Sequence, residues 1–134
     1  MSYEIFHSLP MHEVIIDNDG QQEIFRLFQC GIFSSNDSAE CVELVELTAQ
    51  SHYRLHKHKT SAATIYIIHG EGDLLLAGDT IRYQPAMKIL IPENTWHGFH
   101  THSKTLFLSI QSPPIIDKVT QQVDIHYDNE LSTD

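Results

Sequence analysis

The chain has 134 residues and a formal charge of −10, because 18 Asp and Glu outnumber 8 Lys and Arg. Apolar residues make up 41% and charged residues 19%, a balance that excludes both a disordered chain and a membrane-spanning one. The few basic residues form no cluster, which argues against nucleic acid or an anionic membrane surface as a partner. Histidine stands out with ten residues, and its imidazole is the commonest metal ligand in proteins.

The length is typical of one domain, since domains have roughly 100–200 residues. We expect a single domain over residues 1–134, with N-terminal strands at 12–33, a core at about 41–112 and a C-terminal extension at 113–134. The start of the chain has neither a basic region nor an apolar core, so we expect no secretory signal and a cytoplasmic location. Cys30 and Cys41 are too few for a disulfide framework, and we expect both thiols to be reduced.

Hydrophobic residues alternate with a period near two along most of the chain, which predicts strands rather than helices. Their spacing of roughly 8–12 residues is typical of a β-sandwich or barrel. In chain order the predicted strands span residues 14–16, 23–30, 41–48, 63–68, 73–77, 80–83, 87–91, 96–101 and 105–111. The pair Gly78–Asp79 predicts a hairpin turn, and alternation over 123–127 predicts a final edge strand. Residues 129–134 are expected to fray as an acidic tail.

His56 and His58 lie two residues apart in a segment with strand character. Residues i and i+2 of a strand share a face, about 6.6 Å apart, so two imidazoles can converge on one ion. Further along, Pro92 and Asn94 indicate a tight turn, because proline fixes φ and asparagine tolerates the left-handed conformation. This turn is expected to deliver His97 to the start of a new strand.

These residues resemble the two motifs of the cupin superfamily, G-x5-H-x-H-x3-4-E-x6-G and G-x5-P-x-G-x2-H-x3-N. His56 and His58 match the H-x-H element, and Gly70 matches the closing glycine of the first motif. Pro92 and His97 match the proline and histidine of the second motif. The resemblance extends over residues 44–112. It implies an all-β fold, an antiparallel β-barrel of the jelly-roll or double-stranded β-helix type, with one divalent metal ion inside.

The chain departs from the cupin motifs at several positions. The motif glutamate falls at Ala63, and the glycine that precedes the second motif falls at Ala86. Asn94 stands in place of the glycine after the proline, and Thr101 in place of the closing asparagine. The resemblance therefore implies a metal site reduced to three ligands: His56, His58 and His97.

A site of three histidines resembles the metal sites of two groups of cupins, the thiol dioxygenases and the diketone-cleaving dioxygenases. Neutral imidazoles leave a divalent ion its full charge, so the ion is a stronger Lewis acid and binds anionic groups more tightly. We expect a metal-dependent enzyme of a small anionic substrate, a dioxygenase in the first place, with iron favoured and Zn, Ni, Mn or Cu compatible with the ligands. A metal-dependent isomerase or lyase, with His52 or Tyr53 as base, and a non-catalytic cupin that binds a small ligand are the alternatives.

In a regular strand, His52 and Arg54 share the inward face of His56. Arg54 would then orient an anionic substrate at the barrel mouth, and a solvated surface arginine is the alternative. His52 lies four strand residues, about 13 Å, from His56 and is expected at the rim. His100 and His102 form a second i, i+2 pair that is expected to face outward, and this pair rivals the chosen ligand set.

The inner face of the strand at residues 63–68 is expected to be apolar, because Ile65 and Ile67 share the parity of Ala63. Tyr66 and Ile68 then face outward, and a second copy of the chain is the expected cover, giving a homodimer. The other histidines are expected at the surface or at an interface: His7, His12, His69 and His126.

Overall fold

The structure, a computed structural model, describes residues 8–18, 20–36, 38–117 and 122–127. In these ranges it contains strands and loops and no α-helix. The strands are β1 (Met11–Asn18), β2 (Gln21–Ser34), β3 (Ala39–Leu47), β4 (His52–Lys57), β5 (Ala62–His69), β6 (Gly72–Leu76), β7 (Asp79–Tyr83), β8 (Lys88–Ile91), β9 (His97–Thr101), β10 (Thr105–Ser112), β11 (Ile116–Asp117), β12 (Gln122–Val123) and β13 (His126–Tyr127). No helix in the described part of the chain is long and apolar enough to cross a membrane. His7 and the expected acidic tail at 129–134 lie outside the described residues.

The strands form two antiparallel sheets that share one core. The six-stranded sheet has the order β1-β2-β3-β10-β5-β8 and the five-stranded sheet the order β13-β4-β9-β6-β7, while β11 pairs with β12 separately. Leu47 and Ile65 of the first sheet lie in the same buried cluster as Leu74 of the second, so the inner faces pack together. The expected all-β jelly-roll fold is confirmed, with two facing sheets that the described strand pairing does not close into a continuous barrel.

Strand β5 shows how the period-two pattern selects the inner face. Ala63, Ile65 and Ile67 are buried, as expected, while Tyr66 and Ile68 alternate with them on the other face and are partly buried. Burying each of the two isoleucines contributes about 1.5–3 kcal/mol, and a shift of one residue would expose both. The hydrophobic pattern therefore determines which face of β5 lines the interior.

The outer face of the six-stranded sheet carries a second, smaller cluster. Phe28, Leu44 and Leu106 are buried there, and Leu9 and Ile68 pack against them. The chain itself therefore covers part of the apolar face for which a second copy was expected. The homodimer stays a prediction.

Strand β4 contains a β-bulge directly before the first ligand candidate. Tyr53 pairs with Phe99 of β9, and His56 pairs with His97, so two residues of β4 lie opposite Gly98 alone. A Cβ atom on Gly98 would lie 2.6 Å from the carbonyl oxygen of Tyr53, which means that the bulged backbone requires glycine there. Because the bulge inserts one residue, Tyr53 and His56 are both buried on the inner face.

The bulge makes one expectation from the sequence wrong. A regular strand would place His52 and Arg54 on the face of His56, but the inserted residue shifts the alternation. His52 is exposed and stacks on His100, with 3.9 Å between the ring centroids. Arg54 lies in the bulge itself and is partly exposed.

Two local details also differ from the sequence expectations. Ala77 and Gly78 have φ angles of 51° and 87°, as a type I′ turn needs, so the hairpin turn lies one residue before the expected Gly78–Asp79. Residues 123–127 do not form one edge strand, since β12 pairs with β11 and β13 pairs with β4. The break between β12 and β13 falls at Asp124, whose carboxylate accepts hydrogen bonds from the backbone of Lys59 and Thr60, in the loop after β4.

Ala86 occupies the position of a cupin-motif glycine and has a φ of 74°. The left-handed region costs a residue with a Cβ atom roughly 1–2 kcal/mol. We expect Ala86→Gly to raise the free energy of unfolding by about 1 kcal/mol, measured by urea denaturation. Ala39→Gly in the extended strand β3 is the control and should lower it by about 0.5–1 kcal/mol. An equal loss in both variants would show that residue 86 is not strained.

Candidate metal centre

Three histidines converge on the inner face of the five-stranded sheet. His56 lies near the end of β4, His58 directly after β4, and His97 at the start of β9. Their ring centroids are 4.3 Å (His56–His97), 5.0 Å (His58–His97) and 5.2 Å (His56–His58) apart. One nitrogen from each ring lies within 4.8 Å of the others, so all three can reach one ion at about 2 Å. The structure thus brings together the three histidines that the sequence predicted as metal ligands.

The other ring nitrogen of each histidine is held by the backbone. In all three rings Nδ1 lies at hydrogen-bond distance from a backbone carbonyl oxygen. A carbonyl can only accept, so each Nδ1 carries the proton and each Nε2 keeps its lone pair for a metal. The acceptors are the carbonyl oxygens of Arg54 for His56 (3.1 Å), Asp124 for His58 (2.6 Å) and Thr95 for His97 (2.9 Å).

Burial keeps these imidazoles neutral. It lowers the pKa of His97 to about 4, although the hydrogen bond to Thr95 acts in the opposite direction. Burial, reinforced by the neighbouring His97 and His58, lowers the pKa of His56 well below 6.5, and burial also lowers that of His58. Metals bind the neutral imidazole, so at pH 7 the three side chains are in the form that coordinates an ion.

Asp124 contacts the segment after β4 through both its carboxylate and its backbone carbonyl. Its carboxylate accepts hydrogen bonds from the backbone N–H groups of Lys59, Thr60 and Ser61 at 2.8, 2.9 and 3.1 Å. Its own carbonyl oxygen accepts the Nδ1–H of His58. Burial raises the pKa of Asp124, but the hydrogen bonds from Thr60, Lys59 and Ser61 outweigh burial and lower it to about 2. The break in the predicted edge strand therefore serves to position His58.

A cavity of about 120 Å³ lies between the sheets, with the three histidines in its wall. Most of the wall is apolar and comes from both sheets, including Phe25, Val45, Ile65 and Phe99. Such a cavity suits a small molecule, because apolar walls exclude water and a few polar groups fix its orientation.

A carboxylate that the sequence reading missed faces this cavity from the opposite sheet. Glu43 of β3 lines the wall, and the Nε2 of Gln111 donates to its Oε1 at 2.7 Å. The same amide nitrogen lies 3.3 Å from the Oγ of Ser109, and Gln111 Oε1 accepts from the N–H of Ile115. The sequence contained a signal for Glu43, because residues i and i+2 of a strand share a face and Val45 lies on the inner face of the predicted strand at 41–48.

The position of the cupin glutamate, Ala63, also lines the cavity. In the strand ladders it lies between Gln111 of β10 and Ile91 of β8, and it brings no carboxylate to the wall. Among the described lining residues, the acidic side chain is Glu43 on β3, in the same six-stranded sheet as β5 and opposite the sheet that carries His56 and His97.

Arg54 lies one layer behind the cavity wall. Its guanidinium carbon is 4.0 Å from the ring centroid of Tyr127, and its Nε is 3.4 Å from the buried carboxylate of Glu23. Tyr127 lines the cavity and lies 5.7 Å from His56 between ring centroids, whereas Arg54 does not contribute to the lining. The predicted contact of Arg54 with a substrate stays a prediction, and the structure places the arginine as a support for Tyr127.

The two residues expected as alternative bases do not face the cavity. The hydroxyl of Tyr53 donates to the carbonyl of Ile24 at 2.6 Å and accepts from the N–H of Thr48, and burial raises its pKa. His52 lies on the outer face against His100. Glu43 is therefore the described side chain best placed to accept a proton from a molecule in the cavity.

Comparison of the chain with known protein families gives one match. Residues 43–110, just over half of the chain, match the family model described as Cupin domain. No curated protein sequence matches the chain.

Solved structures with the same fold are distant in sequence. A cupin-2 domain from Rhodospirillum rubrum has a TM-score of 0.63 at 15% identity, over 92% of this chain and 80% of that chain. KdgF from Halomonas sp. has a TM-score of 0.61 at 18% identity, over 81% and 89%. A salicylate 1,2-dioxygenase from Pseudaminobacter salicylatoxidans has a TM-score of 0.54 at 12% identity, over 60% of this chain and 23% of that chain. At these identities the likeness shows the fold alone.

The three buried histidines predict how the stability of the metal-free protein depends on pH. Below pH 6.5 the unfolded chain binds protons that the native imidazoles do not, because the native pKa values are lower. The contribution of these histidines to the free energy of unfolding should be fully present above about pH 6.5. It should decrease toward pH 4, by up to about 1.4 kcal/mol per pH unit for each histidine. Urea denaturation across this range measures the slope, which His97→Ala should reduce and the exposed His69→Ala should leave unchanged. A slope that is undiminished in His97→Ala would contradict the assignment.

The hydrogen bonds of Asp124 predict a loss of metal affinity at a distance from the ion. Asp124→Ala removes the carboxylate that holds the loop at residues 59–61, so His58 loses its fixed orientation. Partners that orient a ligand histidine typically contribute 10–100-fold to affinity, and we expect a loss of that size for Zn²⁺ or Co²⁺, measured by competition with a chelator. Asp79→Ala, at an exposed position in β7, is the matched control. Unchanged affinity in Asp124→Ala would refute a role in positioning His58.

Proposed function

The chain belongs to the cupin family, and we propose that it is a metal-dependent enzyme of a small anionic molecule, specifically a dioxygenase whose divalent ion is held by His56, His58 and His97. One observation carries the proposal: three buried, neutral imidazoles present Nε2 to a common point in the wall of a mostly apolar cavity. A surface cluster of histidines would be charged in part and hydrated, and it would lack a cavity for a substrate.

The three ligands also determine which substrates the site favours. A divalent ion held there supplies Lewis acidity and, if it is iron, redox chemistry toward a coordinated substrate and dioxygen. The neutral imidazoles leave its charge uncompensated, and the apolar walls lower the local dielectric, so an anionic substrate group is bound strongly. Iron is the metal we favour for oxygen chemistry, and the same nitrogen ligands accept Zn, Ni, Mn or Cu.

Glu43 is proposed to bind the end of the substrate that is remote from the ion. Gln111 donates to one carboxylate oxygen, which leaves the other for a donor group of the substrate, such as a hydroxyl or an ammonium. The side chains of Phe25 and Ile65 contact the body of the molecule between the two polar groups. A small molecule with an anionic end and a donor end fits this division of the cavity.

A metal-dependent isomerase or lyase is the second candidate, because Glu43 offers a carboxylate inside the cavity. A carboxylate can take a proton from a substrate carbon next to a group that the ion polarises, and this step needs no dioxygen. Glu43 therefore takes the role for which the sequence suggested His52 or Tyr53, neither of which faces the cavity.

Dioxygen consumption tests the proposal. Untagged protein, reconstituted with iron(II), is assayed in an oxygen electrode against small carboxylates, β-diketones and thiols. We expect consumption in step with product, a loss of at least about 100-fold in His97→Ala because a ligand is removed, and activity within about twofold for the exposed control His69→Ala. Turnover without dioxygen would support the isomerase or lyase instead. Bound iron without turnover of any compound would refute the enzyme and favour a ligand-binding module.

Glu43→Gln separates the two chemical roles of the cavity carboxylate. If Glu43 binds the substrate, we expect KM to rise about tenfold with kcat nearly unchanged, because one charge-assisted hydrogen bond is weakened. If Glu43 removes a proton, kcat should fall by about 100-fold or more. Glu93→Gln, in the turn before β9, is the matched control and should change neither parameter. Unchanged kinetics in Glu43→Gln would contradict both roles.

A further inference from the structure

We propose that the outer face of the five-stranded sheet carries a second, separate metal site, formed by Asp73, His100 and His102, which binds zinc. One ligand atom from each of the three side chains lies within 4.8 Å of the other two. The site is independent of the inner centre, because His97 and His100 of β9 project from opposite faces of the sheet.

Strand pairing creates this cluster. Asp73 of β6 lies directly opposite His100 of β9, so both side chains stand next to each other on the outer face. His102 follows the end of β9, where its backbone N–H donates to the carbonyl of Glu71 at 2.9 Å. Ser103 donates to the same carbonyl, which fixes the turn that carries His102. All three side chains therefore project from restrained backbone.

The distance between two of the three ligand atoms fits a tetrahedral ion. The Nε2 of His102 and the Oδ2 of Asp73 are 3.3 Å apart. Two ligands bound to one zinc ion at about 2.0–2.1 Å and at the tetrahedral angle are separated by about 3.3 Å. The ring of His100 lies 5.4 Å from that of His102 at an interplanar angle of 83°, and His52 stacks on its far side at 3.9 Å, which restrains its plane.

The second oxygen of Asp73 is held separately. Arg82 of β7 places its Nε 3.3 Å from Oδ1, while Oδ2 faces His102. The arginine thus orients the carboxylate in the way that outer hydrogen-bonding partners orient metal ligands. Its positive charge also weakens the attraction for a cation, and with three protein ligands at a partly exposed position we expect micromolar rather than tighter affinity. Two nitrogens and one oxygen suit zinc, whose remaining position water can fill.

Zinc titration of a variant without the inner centre tests the proposal. His56→Ala/His97→Ala, checked for folding by circular dichroism, is titrated with Zn²⁺ in competition with a chromophoric chelator. We expect one equivalent to bind, and Asp73→Asn or His102→Ala on this background should weaken binding at least tenfold. Asp79→Asn and His69→Ala, which remove the same side-chain types elsewhere on the surface, should leave binding within twofold.

Two results would overturn the outer site: no zinc bound by the variant without the inner centre, or binding that survives both Asp73→Asn and His102→Ala. If that variant does not fold, the wild-type protein gives the same information. Its stoichiometry should then be two zinc ions and fall to one in Asp73→Asn, and a stoichiometry that Asp73→Asn leaves unchanged would refute the site. In the wild-type titration the inner centre accounts for the other zinc equivalent. Loss of zinc binding at the inner centre can therefore be distinguished from loss of binding at the outer site.

Discussion

The arrangement of the site depends on one kind of interaction, the hydrogen bond from each histidine Nδ1–H to a backbone carbonyl. These bonds select the tautomer of His56, His58 and His97 in which Nε2 keeps its lone pair, and one nitrogen of each ring lies within 4.8 Å of the others. Two of the carbonyls lie two residues before the histidine they hold, but the third belongs to Asp124, far along the chain. His58 is thus oriented by a segment with no motif residue, and the carboxylate of Asp124 accepts three backbone N–H groups of the loop after β4.

The cavity gains its chemical character from the separation of its polar groups. Among the described lining residues, the three histidines lie on the five-stranded sheet or directly after β4, whereas the one carboxylate, Glu43, lies on the facing sheet and most of the remaining lining is apolar. Residue 63, where the cupin motif has its glutamate, is alanine and brings no carboxylate to the cavity wall. The roles proposed for Glu43 are therefore binding a donor group of the substrate or accepting a proton from it. Both candidate functions follow from this division.

The five-stranded sheet uses its two faces for different purposes. Alternation along β9 places His97 inside and His100 outside, and pairing with β6 brings Asp73 beside His100. The bulge opposite Gly98 likewise places two histidines of β4 on different faces. His56 lies on the inner face, and His52 lies on the outer face against His100. A one-residue irregularity therefore decides which histidines can form an inner centre and which can form an outer cluster.

The sequence by itself determined the fold class and most strand positions, because period-two hydrophobicity is a local signal. Its resemblance to the cupin motifs also singled out the three histidines that converge in the cavity wall. The sequence also determined that His100 faces away from His97, since strand alternation is local too. Only the tertiary structure decided the place of Arg54, the break at Asp124 and the presence of Glu43 in the cavity. The physical reason is that each depends on pairing between distant segments: a bulge forms against a partner strand, a carboxylate finds a loop 63–65 residues away, and two sheets must face each other before Glu43 meets the histidines.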